Sequence, residues 1–183
     1  MYRLLIVTLS ILYSSFTLAK SSYQIDVIFF AHPQAASATN ELDLNSPLIP
    51  VNSKGITLKS STGKSSNSYE LLPASQSGLS NEYYLLSRKS HYQVLGHYSW
   101  RQPANNQSQV TLPTLNNKGW IVQGSLRVRK SNYYLLDTDL QASPASNPQS
   151  SFAIVQKQRL KGSEVYYLDH PQAGMIIKIH SVA

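Results

Sequence analysis

Cysteine is absent from the 183-residue chain. That removes disulfide scaffolds, cysteine-ligated metal sites and thiol nucleophiles together, and with them the acylation site of a lipoprotein. Charge is also scarce, at 14% of residues against roughly 25% in an average soluble domain. No run of five or six like charges occurs, so no charged tail is present, and no internal repeat is visible. A Gly-x-Ser-x-Gly elbow is missing, which leaves an esterase-type serine without its usual setting. Gly63-Lys64-Ser65 is not a phosphate loop, because the position five residues before Gly63 is Leu58 rather than glycine. Ser61-Thr62-Gly63-Lys64 matches the Ser-x-x-Lys of penicillin-interacting enzymes, but it sits in a serine-rich stretch with no helix to align the pair. His32, His91, His97, His170 and His180 form no close pair at metal-ligand spacing. Neither a metal nor another cofactor is expected.

What is present begins with a leader. Met1-Tyr2-Arg3 supplies a basic start, an apolar run follows from Leu4, and Thr17-Leu18-Ala19 places small residues where a signal peptidase reads. Ser14 and Ser15 interrupt the run, which falls short of the roughly 20 apolar residues a membrane span needs. Residues 1–19 therefore read as a cleavable signal peptide and 20–183 as one domain of ordinary size. No transmembrane span is expected after cleavage. The formal charge of +7 drops to +6 once Arg3 is removed. In an exported chain, nucleic acid gives way to phospholipid head groups, lipopolysaccharide and wall-peptide carboxylates as the anions to be met.

Along the chain, residues 22–31 (SYQIDVIFFA) read as a buried strand. Residues 32–68 form a long low-complexity spacer, with Leu44, Leu48, Ile49 and Val51 as local docking points. Leu79, Tyr83 and Leu86 recur at helical spacing, with Ser80 as cap, Glu82 in the first turn, and Arg88 and Lys89 in the last. Residues 92–102 alternate as a strand stopped by Pro103. Residues 121–129 and 133–140 form a hairpin turning at Lys130-Ser131-Asn132, with Arg127 and Arg129 opposite Leu126 and Val128. Three further strands end the chain. The pattern is α+β: a mainly antiparallel sheet with one clear helix and long polar loops. The first strand, the helix and the next strand are expected to form a crossover with one parallel pair.

Asp137 and Asp139 lie two apart on one strand and share a side. They fit a salt-bridged surface better than a glycosidase pair. On strands, Lys157, Arg159 and Lys161 share one side, and Tyr166, Leu168 and His170 another. Cations beside tyrosines suit a carboxylated sugar-peptide: guanidinium meets carboxylate, and flat rings cover sugar faces. Asp169, ahead of His170-Pro171, is expected to fix the turn by accepting backbone amides, while Arg159 points outward. The expected ligand-binding set is Trp100, Arg101, Lys157, Arg159, Lys161, Glu164, Tyr166, Tyr167, Asp169 and His170.

The tail Arg159-Leu160-Lys161-x-x-Glu164-x-x-Tyr167-Leu168-Asp169-His170-Pro171-x-x-Gly174 resembles the signature of the CsiV family of exported peptidoglycan-binding proteins. Agreement extends to residues 23–30, to Trp100-Arg101-Gln102-Pro103, and to Tyr133 through Asp137, Asp139 and Leu140. It covers most of the mature chain in order, the spacers excepted. Gln158 stands where family members often carry a second arginine, and Lys161 replaces another, leaving fewer bidentate carboxylate contacts. The resemblance implies a non-enzymatic periplasmic factor of a Gram-negative envelope. Such a factor binds peptidoglycan and supports a class A penicillin-binding protein through its outer-membrane lipoprotein activator. Two rival readings are a wall-modifying hydrolase using Asp137, Asp139 and Glu164, and an envelope protein that binds anionic lipid.

The leader yields the first prediction. Mass spectrometry of periplasmic protein should find a mature start at Lys20 or within a residue or two of it. A full-length species embedded in membrane would overturn the assignment.

Overall fold

In a computed structural model of the chain, the stretch Ser22–Ala31 forms β1, and nine of its ten residues are buried. The structure describes residues 21–32, 55–59 and 68–182. The leader, Leu44, Leu48, Ile49 and Val51 lie outside them. A strand that alternates normally shows water one face. Here both faces are covered, which is why its sequence reads as a nearly continuous apolar run.

Around β1 a four-stranded antiparallel sheet assembles. Its neighbours are β4 (Gln93–Pro103) and β11 (Ala173–Val182), with β10 (Val165–His170) at the edge beyond β11. A second sheet is ordered β3 (Ser68–Glu70), β2 (Ile56–Lys59), β5 (Val110–Thr111), β7 (Trp120–Lys130), β8 (Tyr134–Pro144) and β9 (Phe152–Leu160), and β6 (Leu115–Asn117) also pairs with β7. The β7–β8 hairpin keeps the register its alternation implies, with Lys130 opposite Tyr134 across the expected turn. Gly124 in β7 has a φ of +142°, and a Cβ there would lie 2.3 Å from the Asp139 carbonyl oxygen. Only glycine lets the two strands close at that point.

The inner faces of the two sheets share one core. Tyr23, Ile25 and Val27 of β1, Trp100 of β4, and Ile177 and Ile179 of β11 meet Leu126, Val128, Leu136 and Leu140 of the hairpin. Each large side chain withdrawn from water here contributes roughly 1.5–3 kcal/mol. A polar chain crosses this core: Trp100 Nε1 donates to Gln102 Oε1 at 3.1 Å, and Gln102 Nε2 donates to the Tyr23 hydroxyl. Tyr23 in turn donates to the Val128 carbonyl at 2.8 Å. Burial pushes the Tyr23 phenol up to about 12, so it remains a donor at any ordinary pH.

Two expectations need correction. The first concerns β1 and β4, which run antiparallel, with Ser22 opposite Pro103 and Ala31 opposite Gln93. The chain visits β2 and β3 of the other sheet before reaching the helix, so β4 enters at the Ala31 end and returns. The parallel pairs are instead β2 with β3 and β2 with β5. Within the spacer, β2 is thus an ordered strand, and Leu58 is part of the core. The second concerns α1 (Ser80–Ser87), whose N-cap is Leu79 rather than Ser80. The Ser80 hydroxyl donates backwards to the Ser77 carbonyl at 2.9 Å, and Arg88 is already the C-cap. Leu79 is the buried anchor of this segment; with partly buried Leu86 it covers Ile28, Phe30 and Val94 on the outer face of the four-stranded sheet.

That same outer face hides a carboxyl group. Asp26 of β1 is fully buried and accepts from Ser99 Oγ at 2.6 Å and Gln24 Nε2 at 3.0 Å. Its second oxygen lies 3.5 Å from His180 Nδ1. Gly78 closes over it so tightly that a Cβ there would lie 3.1 Å from that oxygen. Asp26→Ala would strand the buried Ser99 hydroxyl and open a polar gap beside His180, while Gln24 Nε2 keeps its bond to the Gln76 carbonyl at 2.8 Å. Chemical unfolding should then show a loss of about 3 kcal/mol, and a loss below 1 kcal/mol would deny the cluster a structural role.

Candidate functional site

The tail signature runs from the end of β9, an edge strand of the larger sheet, through β10, the edge strand of the smaller one, into the start of β11. Gln156 Nε2 of β9 donates to the Asp169 carbonyl of β10 at 2.9 Å. Because Ile154 and Leu160 point into the core, the alternate residues Lys157 and Arg159 stand on the outer face of the larger sheet. Both are exposed. The Arg159 guanidinium lies 4.7 Å from the centre of the Tyr133 ring, a cation–π contact that holds the charge at the surface. Opposite Lys157 in the register is Asp137. Arg127 grips that carboxylate through Nη2 at 2.7 Å and Nε at 2.9 Å, and Arg129 adds a third bond at 3.1 Å. Asp137 thus belongs to a salt-bridged surface, as its cross-strand setting implies.

The turn between the strands is a small network of its own. Tyr166 donates its hydroxyl proton to Glu164 at 2.7 Å and accepts the Lys161 amide at 2.8 Å. Lys161 Nζ stands 4.0 Å from Glu164. His170 turns inward and stacks on Phe152, with ring centres 4.7 Å apart and planes 9° from parallel. The turn amide of Gln172 donates to His170 Nδ1 at 3.3 Å. His170 thus accepts one turn amide, while the Asp169 carboxyl accepts the backbone amide of His170, as expected of an acid that fixes the turn. Trp100 is wholly buried in the inter-sheet core and presents no surface to a ligand: its large apolar face is used for packing. Arg101 is exposed on the outer side of β4, its Nε directed at Gln24 Oε1 at 3.4 Å.

Tyr167 and Asp169 alternate with the inward residues, so they face out from the smaller sheet. The tail set is therefore divided: Lys157 and Arg159 lie outside one sheet, Lys161 in the turn, and this Tyr–Asp pair outside the other sheet. Tyr167 is 51% exposed and donates to Asp169 Oδ1 at 2.5 Å. That hydrogen bond, followed by the nearby His32, holds the Asp169 carboxyl below its ordinary range. Three residues outside the expected ligand-binding set complete the group. Phe30 stacks on Tyr167 at 5.9 Å and 14°, Tyr92 meets Phe30 edge-on at 5.3 Å, and His32 Nε2 lies 3.5 Å from Asp169. Gly174 is the one signal in the sequence that points here. A Cβ at that position would come within 2.3 Å of Phe30 and 2.9 Å of Tyr167.

Compared with known proteins, residues 1–182 match the family described as peptidoglycan-binding protein, CsiV. The chain belongs to the CsiV family. The match spans the tail strands, both sheets and β1, so the CsiV assignment covers every element that positions these side chains. No curated protein and no solved structure matches the chain.

Two histidines of this CsiV chain carry a pH dependence. Burial lowers His170 below its ordinary 6.5, against the pull of Asp169, and burial lowers His97 against the pull of Asp26. A lowered histidine favours the neutral fold, so its contribution is complete above about pH 6.5 and is lost as pH falls towards the folded value. Asp169 does not interfere, because its depressed pKa moves its own loss below 3.8. Unfolding free energy measured between about pH 7.5 and pH 5 should fall more steeply for the wild type than for a His97→Gln/His170→Phe variant. Equal slopes would contradict the assignment.

Proposed function

We propose that this protein is a non-enzymatic, periplasmic peptidoglycan-binding factor, delivered by its leader to a Gram-negative envelope. In this reading it supports a class A penicillin-binding protein through an outer-membrane lipoprotein activator. The observation that carries it is the family match across nearly the whole chain. The surface chemistry supports the wall as ligand. Lys157 and Arg159 extend the basic face beyond the Arg127–Asp137–Arg129 cluster, and exposed ammonium and guanidinium groups suit the carboxylates of wall peptides. The role of Asp137 as the shared acceptor of two guanidinium groups speaks against its use as an acid or base in a hydrolase.

Co-sedimentation with lipid-free sacculi tests this. Binding should fall as the Debye length shrinks from about 10 Å at 0.1 M salt to about 3 Å at 1 M. Lys157→Ala/Arg159→Ala should weaken it further while leaving the melting temperature within a degree or so, since exposed charges contribute little to stability. Binding to anionic liposomes but not to sacculi would replace the wall with lipid. Zymogram clearing that disappears with Asp139→Asn or Glu164→Gln would make the protein an enzyme. A pull-down from detergent-extracted membranes tests the lipoprotein partner.

A further inference from the structure

Resting on the peptidoglycan reading, we propose that Tyr92 and Tyr167, with Asp169 and His32 beside them, form a subsite for an N-acetylated sugar of the glycan strand, separate from the cationic face. Phe30 is 2% exposed and serves as the floor. One face of the Tyr167 ring lies over it, leaving that ring half exposed, and Tyr92 rises from the edge of the same floor at 36% exposure. His32 closes the group, 5.9 Å from the Tyr92 ring and 5.7 Å from Phe30.

The construction is specific. Phe30 and Tyr167 can stack only because position 174 has no side chain, as the 2.3 Å and 2.9 Å approaches show. Tyr167 is further pinned by its hydrogen bond to Asp169. A rigid, tethered aromatic ring loses little entropy on binding. It also differs from the exposed Tyr84 and Leu85 on α1, and from Tyr83, which stacks on the His97 ring rather than on a phenylalanine.

The chemistry of the rim selects the occupant. A purely apolar partner would cover the rings but would also desolvate the Asp169 carboxylate and the tyrosine hydroxyls without pairing them, at a cost. A carboxylated peptide would meet Asp169 as a like charge. A pyranose offers C–H groups on its face for the rings, and hydroxyl and acetamide N–H donors at its rim for the carboxylate. The neutral glycan fits this side, and the charged peptide fits the side with Lys157 and Arg159. The two lie on the outer faces of different sheets, so one protein could grip strand and stem separately.

Titration of the mature chain with chitotetraose, a peptide-free N-acetylglucosamine oligomer, should shift the tyrosine ring signals in NMR. Tyr167→Ala and Tyr92→Ala should each weaken that affinity about tenfold, as expected for a lost ring contact. Tyr167→Phe should retain most of it, while Lys157→Ala/Arg159→Ala should leave it unchanged. Circular dichroism identifies any variant that fails to fold, and Tyr92→Ala removes neither ring of the Phe30–Tyr167 stack. If wild-type protein sediments with sacculi but gives no response to chitotetraose, the subsite is wrong and the wall reading stands. If it binds chitotetraose but not sacculi, the reverse holds. Sugar binding untouched by either tyrosine substitution would also overturn the subsite.

Discussion

Burial of β1 on both faces is the constraint on which the other elements depend. Its odd-numbered side chains, Tyr23 through Phe29, enter the inter-sheet core, and Ile28 and Phe30 enter the smaller core under Leu79. Two antiparallel neighbours satisfy its backbone along its length. A strand so enclosed must have something to cover each side. The β7–β8 hairpin supplies one cover, and the Leu79–Leu86 segment supplies part of the other. The remaining length of the outer face is used differently at its two ends. One holds the buried Asp26 group, and the other holds the exposed aromatic group around Phe30.

Phe30 links fold to function most directly. It is a core residue by burial and the floor of the tyrosine cluster by position. Its partner across the sheet, in the β1–β11 register, is Gly174, and that pairing explains why a glycine closes the tail signature. A motif that looks like a turn sequence is therefore also a packing instruction. The tail spends its glycine on a stack, its His170 on the turn amide, and its Asp169 on orienting a tyrosine.

The alternation of the tail was legible, but its geometry was not. Period-two reasoning placed Lys157 with Arg159 and Tyr166 with His170 correctly, because side-chain direction in a strand is a local property. It did not reveal that the β9–β10 turn carries the chain from the edge of one sheet to the edge of the other. That passage sends Tyr167 and Asp169 away from the cations and into contact with Phe30, His32 and Tyr92, more than sixty positions distant in sequence at the nearest. Trp100 shows the same limit. An aromatic beside an arginine at a strand end suits a ligand equally well from sequence, and only the opposing sheet shows that its face is already covered.

By itself, the sequence determined the α+β composition, the hairpin register, the outward Arg127 and Arg129, and the family, since each rests on local periodicity or on a contiguous motif. Tertiary structure alone decided the direction of β4, the place of β2 within the spacer, the burial of Asp26 and the assembly of the aromatic group. Those outcomes depend on which strands become neighbours across long connections. Strand pairing is fixed by the joint burial of distant faces rather than by any one segment's preference.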